Sequence, residues 1–129
     1  MSIEALIYTR LSGFAGLAAL VGTRIYPNVA PQNVAAPYIV YRRVTAGRPG
    51  AMQADTGIVR GRFQVDVFDG TFDGAAAVRE QIRQALQRWR SAGPPVVQAT
   101  FLDTQIDLYE DDTGLHHLAD DYEINYLEA

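Results

Sequence analysis

The strongest constraint on the fold is a change of hydrophobic period along the chain. Ala75, Val78, Ile82, Ala85, Leu86 and Trp89 recur every three or four residues, with Arg79, Arg83, Arg88 and Arg90 between them, which predicts an amphipathic helix. On both sides of it the period falls to two. Residues 58–68 set Val59, Phe63, Val65 and Val67 on one face, and residues 96–109 alternate Thr104, Ile106 and Leu108 with Asp103, Gln105 and Asp107. A one-sided helix must bury its stripe, and one-sided strands supply the layer to bury it on.

Two more strands complete the sheet. Residues 37–44 are rich in β-branched and aromatic side chains and open on a proline, which a strand tolerates at its first position. Beyond a polar turn at 110–114, Leu118, Tyr122, Ile124 and Tyr126 supply a final strand ending at Leu127. At the start, Ser2 caps a helix whose apolar positions are Ile3, Leu6, Ile7, Leu11 and Phe14. A break is expected near Gly13, and a short helical turn over 17–21 is ended by Gly22 at positive φ. Residues 22–37, with Pro27, Pro31 and Pro37, read as an extended connection. The expected order is α-β-β-α-β-β: an α+β fold with a mixed or antiparallel four-stranded sheet and two helices packed on one face. The loop over 45–57 is far longer than the two to five residues of an ordinary hairpin turn, which predicts a mobile segment waiting for a partner.

Composition narrows the function. A chain of 129 residues, 48% hydrophobic and 20% charged, fits one globular domain over 1–129. No apolar run approaches the ~20 residues of a membrane helix, and the first residues lack the basic and apolar regions of a secretion signal, so a cytoplasmic origin is expected. With no cysteine, disulfides, thiol nucleophiles and Cys-ligated metal sites are excluded. All eleven basic residues are arginine. Those eleven against six acids leave residues 1–90 at +5, while nine acids and no base leave residues 91–129 at −9. Such polarity suits self-assembly or a charged lumen, and it is also what two solvated faces look like.

No catalytic or cofactor site emerges. Asp69, Thr71, Asp73, Gly74 and Glu80 echo the spacing of a calcium loop, yet Thr stands at the third position, a strand precedes, and Thr71 or Asp73 serves equally well as a helix N-cap. His116 and His117 are adjacent, so on a strand they point to opposite faces and cannot share an ion. Ser2, Ser12 and Ser91 lack nucleophile-elbow surroundings, and no phosphate loop is present. Arg42, Arg43, Arg48, Arg60 and Arg62 near Tyr38, Tyr41 and Phe63 have the composition of a nucleic-acid-binding sheet, against which stands a pI near 5.0.

Three stretches carry a resemblance: Leu17-Ala18-Ala19-Leu20-Val21-Gly22-Thr23-Arg24-Ile25-Tyr26-Pro27, then Ala36-Pro37-Tyr38-Ile39-Val40-Tyr41, then Phe63-Gln64-Val65-Asp66-Val67-Phe68. In order and spacing they resemble the tail-terminator or tail-completion proteins of long non-contractile-tailed phages, prophages and gene transfer agents. The resemblance implies a structural virion protein with no enzymatic activity and no cofactor. It would be assembled in the host bacterial cytoplasm and sit at the head-proximal end of the tail. There it would form a homo-hexameric ring that caps the tail tube, ends polymerisation and meets the head-tail connector, with DNA passing through the channel unbound and no membrane involved. It also implies that the long loop reaches the tail tube protein, here through Arg48, Met52, Gln53 and Asp55. The charge split adds two expectations: a subunit interface using Arg42, Arg43, Arg60 and Arg62 with Asp103 and Asp107, and lumen-facing acids Asp111, Asp112, Asp120 and Asp121. Other readings of the chain are a different head-tail connector, a tail tube subunit, or a small cytoplasmic ligand-binding domain.

Overall fold

The computed structural model describes residues 2–49 and 57–128. Three helices and five strands follow in the order α1 (Ile3–Ser12), α2 (Ala15–Val21), β1 (Ile25–Pro27), β2 (Tyr38–Gly47), β3 (Ile58–Asp69), α3 (Phe72–Leu86), β4 (Val96–Glu110) and β5 (Leu115–Leu127). The strands form one mixed sheet in the order β1-β2-β3-β5-β4. All pairings are antiparallel except β1 with β2. The expected α+β class is therefore observed, with five strands in place of four and the first helical region split in two.

The extra strand lies in the stretch expected to be a plain connection. Ile25, Tyr26 and Pro27 pair in parallel with Ile39, Val40 and Tyr41, and hydrogen bonds from Ile39 N to Arg24 O (2.9 Å) and from Asn28 N to Tyr41 O (2.8 Å) extend the contact. Three residues ending in proline leave no periodic signal, and a parallel pairing has no tight turn between its strands to announce it.

Local chemistry sets the helix ends. Ser2 Oγ accepts from Ala5 N at 3.1 Å to open α1, and Thr71 Oγ1 accepts from Gly74 N at 3.1 Å to open α3. Gly22 closes α2 at φ 60°, as expected. Gly61 answers to packing: a Cβ there would stand 2.6 Å from Phe63 Cε1 and 3.3 Å from Tyr126 Cε1, so the core leaves no room for one.

All three helices bury their apolar residues against the same sheet face. Ile3, Ile7 and Leu11 from α1, Leu17 and Val21 from α2, and Ala75, Val78, Ile82, Ala85 and Leu86 from α3 meet Ile39, Tyr41, Val59, Phe63, Val65, Val67, Val97, Leu118, Tyr122, Ile124 and Tyr126. Each fully buried aliphatic side chain there contributes roughly 1.5–3 kcal/mol. Among the described residues no single helix is long and apolar enough to cross a membrane; α1 and α2 pass such a test only together, across an 84° bend.

Strand β4 departs from simple alternation. Bulges between Val97 and Ala99 and between Leu102 and Thr104 each insert one residue against β5. A one-residue insertion moves every later side chain to the opposite face. Val97, Thr100 and Leu102 therefore lie opposite Tyr126, Ile124 and Tyr122 on the helix side, whereas Ile106 and Leu108 lie opposite Ala119 and His117 on the other. Ile106 and Leu108 are 46% and 49% exposed, so the apolar half of that alternation is not core.

Candidate assembly surfaces

One face of the sheet carries no helices. Cross-strand partners share a face, so the pairing register orders its side chains from edge to edge. Phe101, Ile106 and Leu108 come from β4, and Glu123, Asp121, Ala119 and His117 from β5. Arg60, Arg62, Gln64, Asp66 and Phe68 follow from β3, then Arg42, Val40 and Tyr38 from β2. The face thus runs from apolar through acidic to basic.

Its far corner is aromatic. Tyr38 stacks on Phe68 at 4.8 Å between ring centroids, and Phe68 stacks on His117 at 4.2 Å. His117 Nε2 lies 3.2 Å from Asp66 Oδ2 without hydrogen-bond alignment, while Asp66 Oδ1 accepts from Gln64 Nε2 at 2.8 Å. Burial beside these groups raises the Tyr38 phenol above its usual pKa, with Glu110 adding to the effect.

Several of the charges expected at a subunit interface are engaged within the chain. Arg62 Nη1 donates to Asp103 Oδ2 at 2.6 Å and stands 3.7 Å from Asp121 Oδ2; the Asp103 hydrogen bond and charge raise its pKa further. Asp107 pairs with Arg79 at 2.7 Å. Arg43 Nη1 donates to the Tyr126 hydroxyl at 2.9 Å. Arg42 and Arg60 are exposed and have no ion-pair partner among the described residues.

The four acids expected to line a lumen separate. Asp111 and Asp112 are exposed in the turn between β4 and β5, and Asp121 is half-buried beside Arg62. Asp120 turns inward, with its side chain 4% exposed under α3, so it cannot line a channel. The reason is parity: the two-residue period that buries Leu118 and Tyr122 buries Asp120 between them.

Asp120 is held by Arg79, which was not singled out from the sequence. Arg79 Nη2 is 2.9 Å from Asp120 Oδ1 and donates to Ile106 O at 3.0 Å; Asp120 Oδ2 accepts from Gln105 Nε2 at 3.3 Å. The Arg79–Asp120 contact is short but off the hydrogen-bonding angle, leaving Asp120 Oδ1 and Arg79 Nε without a hydrogen bond. Burial raises the Asp120 pKa and outweighs the opposing pull of Arg79. A signal was present: Arg79 falls four residues after Ala75 and three before Ile82, inside the apolar stripe of α3.

Of the loop residues expected at the tube, Arg48 pairs with Glu128 at 2.6 Å, while Met52, Gln53 and Asp55 lie outside the described residues. That hydrogen bond lowers the Glu128 pKa. In the calcium-like spacing, Thr71 serves as the α3 cap, Asp69 Oδ1 accepts from Gly70 N at 2.7 Å, and Glu80 turns to Arg83. His116 and His117 do point to opposite faces, His116 toward Tyr109 and Phe72, His117 toward Phe68. Among the described residues no three His, Asp or Glu side chains converge as a metal site.

A family model described as tail completion protein gp17 matches residues 5–126. The chain belongs to that family. Comparison with curated proteins finds no match. A solved chain from the structure titled "Virion of native gene transfer agent (GTA) particle" shares the fold with a TM-score of 0.84. It is 18% identical, and the alignment covers 98% of this chain and 95% of that one. This tail completion protein is thus a structural component of a phage-type or gene-transfer-agent tail, located in the virion.

Proposed function

We propose that this tail completion protein forms a closed, six-membered ring that caps the tail tube, ends tube polymerisation and offers its outer surface to the head-tail connector. The observation that carries the reading is the unspent charge at opposite ends of one molecule. Arg42 and Arg60 have no ion-pair partner among the described residues, and Asp111 and Asp112 are exposed beyond the other side of the sheet. A cyclic assembly joins unlike patches of successive copies, so complementary ends on one chain are what closure uses. The fold shared with a chain of a gene transfer agent virion supports the same reading.

In such a ring Asp111 and Asp112 meet Arg42 and Arg60 of the next copy, and DNA passes through the channel unbound. The role is one of binding and shape, without catalysis. Residues 45–57, with Arg48 at the described margin, make the contact with the tube protein.

The test is native mass across a concentration series, by light scattering with negative-stain imaging. Six copies of 14.2 kDa give a particle of about 85 kDa, well separated from a monomer. A ring of that mass that blocks elongation of purified tubes is the expected result. An open polymer would make the chain a tube subunit. A chain that stays monomeric in solution and on tube ends would refute the reading.

A further inference from the structure

Among the described residues seven have a positive φ: four are glycine, two are asparagine, and the seventh is Arg88, at 62°. Asparagine visits that region readily, whereas a long side chain is strained there as glycine would not be. The turn that ends α3 imposes the strain. Gln87 has φ −61° and ψ 122°, and Trp89 N donates to Leu86 O at 2.9 Å, so Leu86–Trp89 is a type II turn with Arg88 at the position that calls for glycine. The fold holds the turn in place. Arg88 N donates to Thr100 O at 2.9 Å, and the carbonyl of Trp89, itself buried, accepts from Thr100 Oγ1 at 3.0 Å.

What the strained turn presents is charge. Arg88 and Arg90 are both exposed, on either side of buried Trp89, and have no ion-pair partner among the described residues. A cation just past a helix suits its dipole, but that benefit needs neither a second arginine nor a positive φ. A cleft of about 340 Å³ opens beside Arg90, between Ser91, Val96 and Gln98. The register fixes where this patch lies. Ala46, Gly61, Ile124 and Thr100 form one row across the sheet, so Arg88 stands at the end of the strands from which residues 45–57 leave. Exposed, unneutralised guanidinium groups at that end select an acidic partner.

We propose that Arg88 and Arg90 make a second contact with the tail tube, pairing with carboxylates of the tube protein at the cleft beside Ser91. The glycine that would relax the turn is forgone for the sake of that contact. The proposal rests on the reading that residues 45–57 face the tube, and it adds the chemistry of the surface met there.

The test is binding of purified tubes by Arg88→Gly, Arg88→Lys and Arg90→Ala chains, with melting temperature and native mass measured on each. Arg88→Gly should raise Tm by about 2–4 °C, because it relaxes the turn. It should leave rings of about 85 kDa intact and weaken tube binding on the order of tenfold at low salt. The difference should vanish near ~1 M salt, where exposed charges are screened. Arg90→Ala should weaken binding in the same way, and Arg88→Lys, which keeps the charge, should preserve most of it. A lowered Tm for Arg88→Gly would remove the argument from strain and overturn the proposal. Unchanged tube binding by Arg88→Gly and Arg90→Ala, with binding still lost in Arg48→Glu, would overturn it while leaving the tube reading intact. Loss of the ring itself, or loss of DNA retention in place of tube binding, would give the arginines another partner and overturn it as well. If the unaltered chain does not bind tubes, both readings fall together.

Discussion

Replacing Arg79 by methionine keeps the aliphatic stem packed against α3 and deletes the charge beside Asp120. Two carboxylates and a carbonyl lose their partner, but only Asp120 is buried; Asp107 keeps a half-exposed side chain that water can serve. Breaking one side of a buried pair costs about 3–5 kcal/mol, most of it the penalty of the charge left behind. With roughly 2.1 cal/mol/K of unfolding entropy per residue over 129 residues, 3 kcal/mol lowers Tm by about 11 °C. The sign with pH follows from the raised Asp120 pKa. Its folded value lies above the ordinary 3.8, so the folded chain binds this proton more tightly than the unfolded one. The stabilisation from protonating Asp120 is full below the unfolded value and is lost as pH rises through the folded one. Removing Arg79 raises that pKa further, so the Arg79→Met penalty should shrink as pH falls toward 4. Asp120→Asn, which keeps an acceptor for Gln105 but removes the charge facing Arg79, should cost about 1.5–3 kcal/mol, the worth of a charge-assisted contact. The double variant should be more stable than Arg79→Met by itself. Urea unfolding at pH 7 and pH 4.5, arranged as a double-mutant cycle, measures all of this. An Arg79→Met cost under about 1 kcal/mol, or additive single effects, would refute the account of a buried charge held by one partner.

Thr71→Ala should cost about 1 kcal/mol by removing the α3 cap, read by urea denaturation. Ile82→Ala, at the centre of the stripe that α3 buries, should cost about 2–5 kcal/mol in the same assay. The Glu80 carboxyl is held down to about 2 by hydrogen bonds from Arg83 and Gln84, which a carbon-13 titration should show. Any stability it adds is present above the unfolded carboxylate range and lost as pH falls toward that value. Because the pair is exposed, Glu80→Gln should change stability by only about 0.5 kcal/mol or less. Replacing Arg42 and Arg60 together by glutamate should leave Tm nearly unchanged and abolish ring formation, read by native mass.

Much of the fold was legible in local pattern. The amphipathic stripe of α3, the capping Ser2, the break near Gly13, the positive φ of Gly22 and four of the five strands all follow from short-range periodicity and backbone chemistry. The family was legible as well, in the order of three segments spread over much of the chain. Strand β1 was not, because three residues pairing in parallel with the following strand leave no periodic trace. At the assembly surfaces, the charge split was plain in the sequence, but which charges stay unpaired was not. Arg62 reaches Asp103 across 41 positions of chain, and Arg79 reaches Asp120 from another element, so only the folded geometry separates those pairs from Arg42 and Arg60.

Alternation by itself determined which residues of β5 face the helices, and it placed Asp120 among them, because a strand's side chains change face at every step. The same rule fails along β4, where two bulges each shift the parity. A bulge is set by how one strand fits against its neighbour, so no window of sequence contains it. The second bulge leaves Leu102 on the helix side and puts Ile106 and Leu108, which share its parity, on the open face, since one inserted residue moves every later side chain across the sheet.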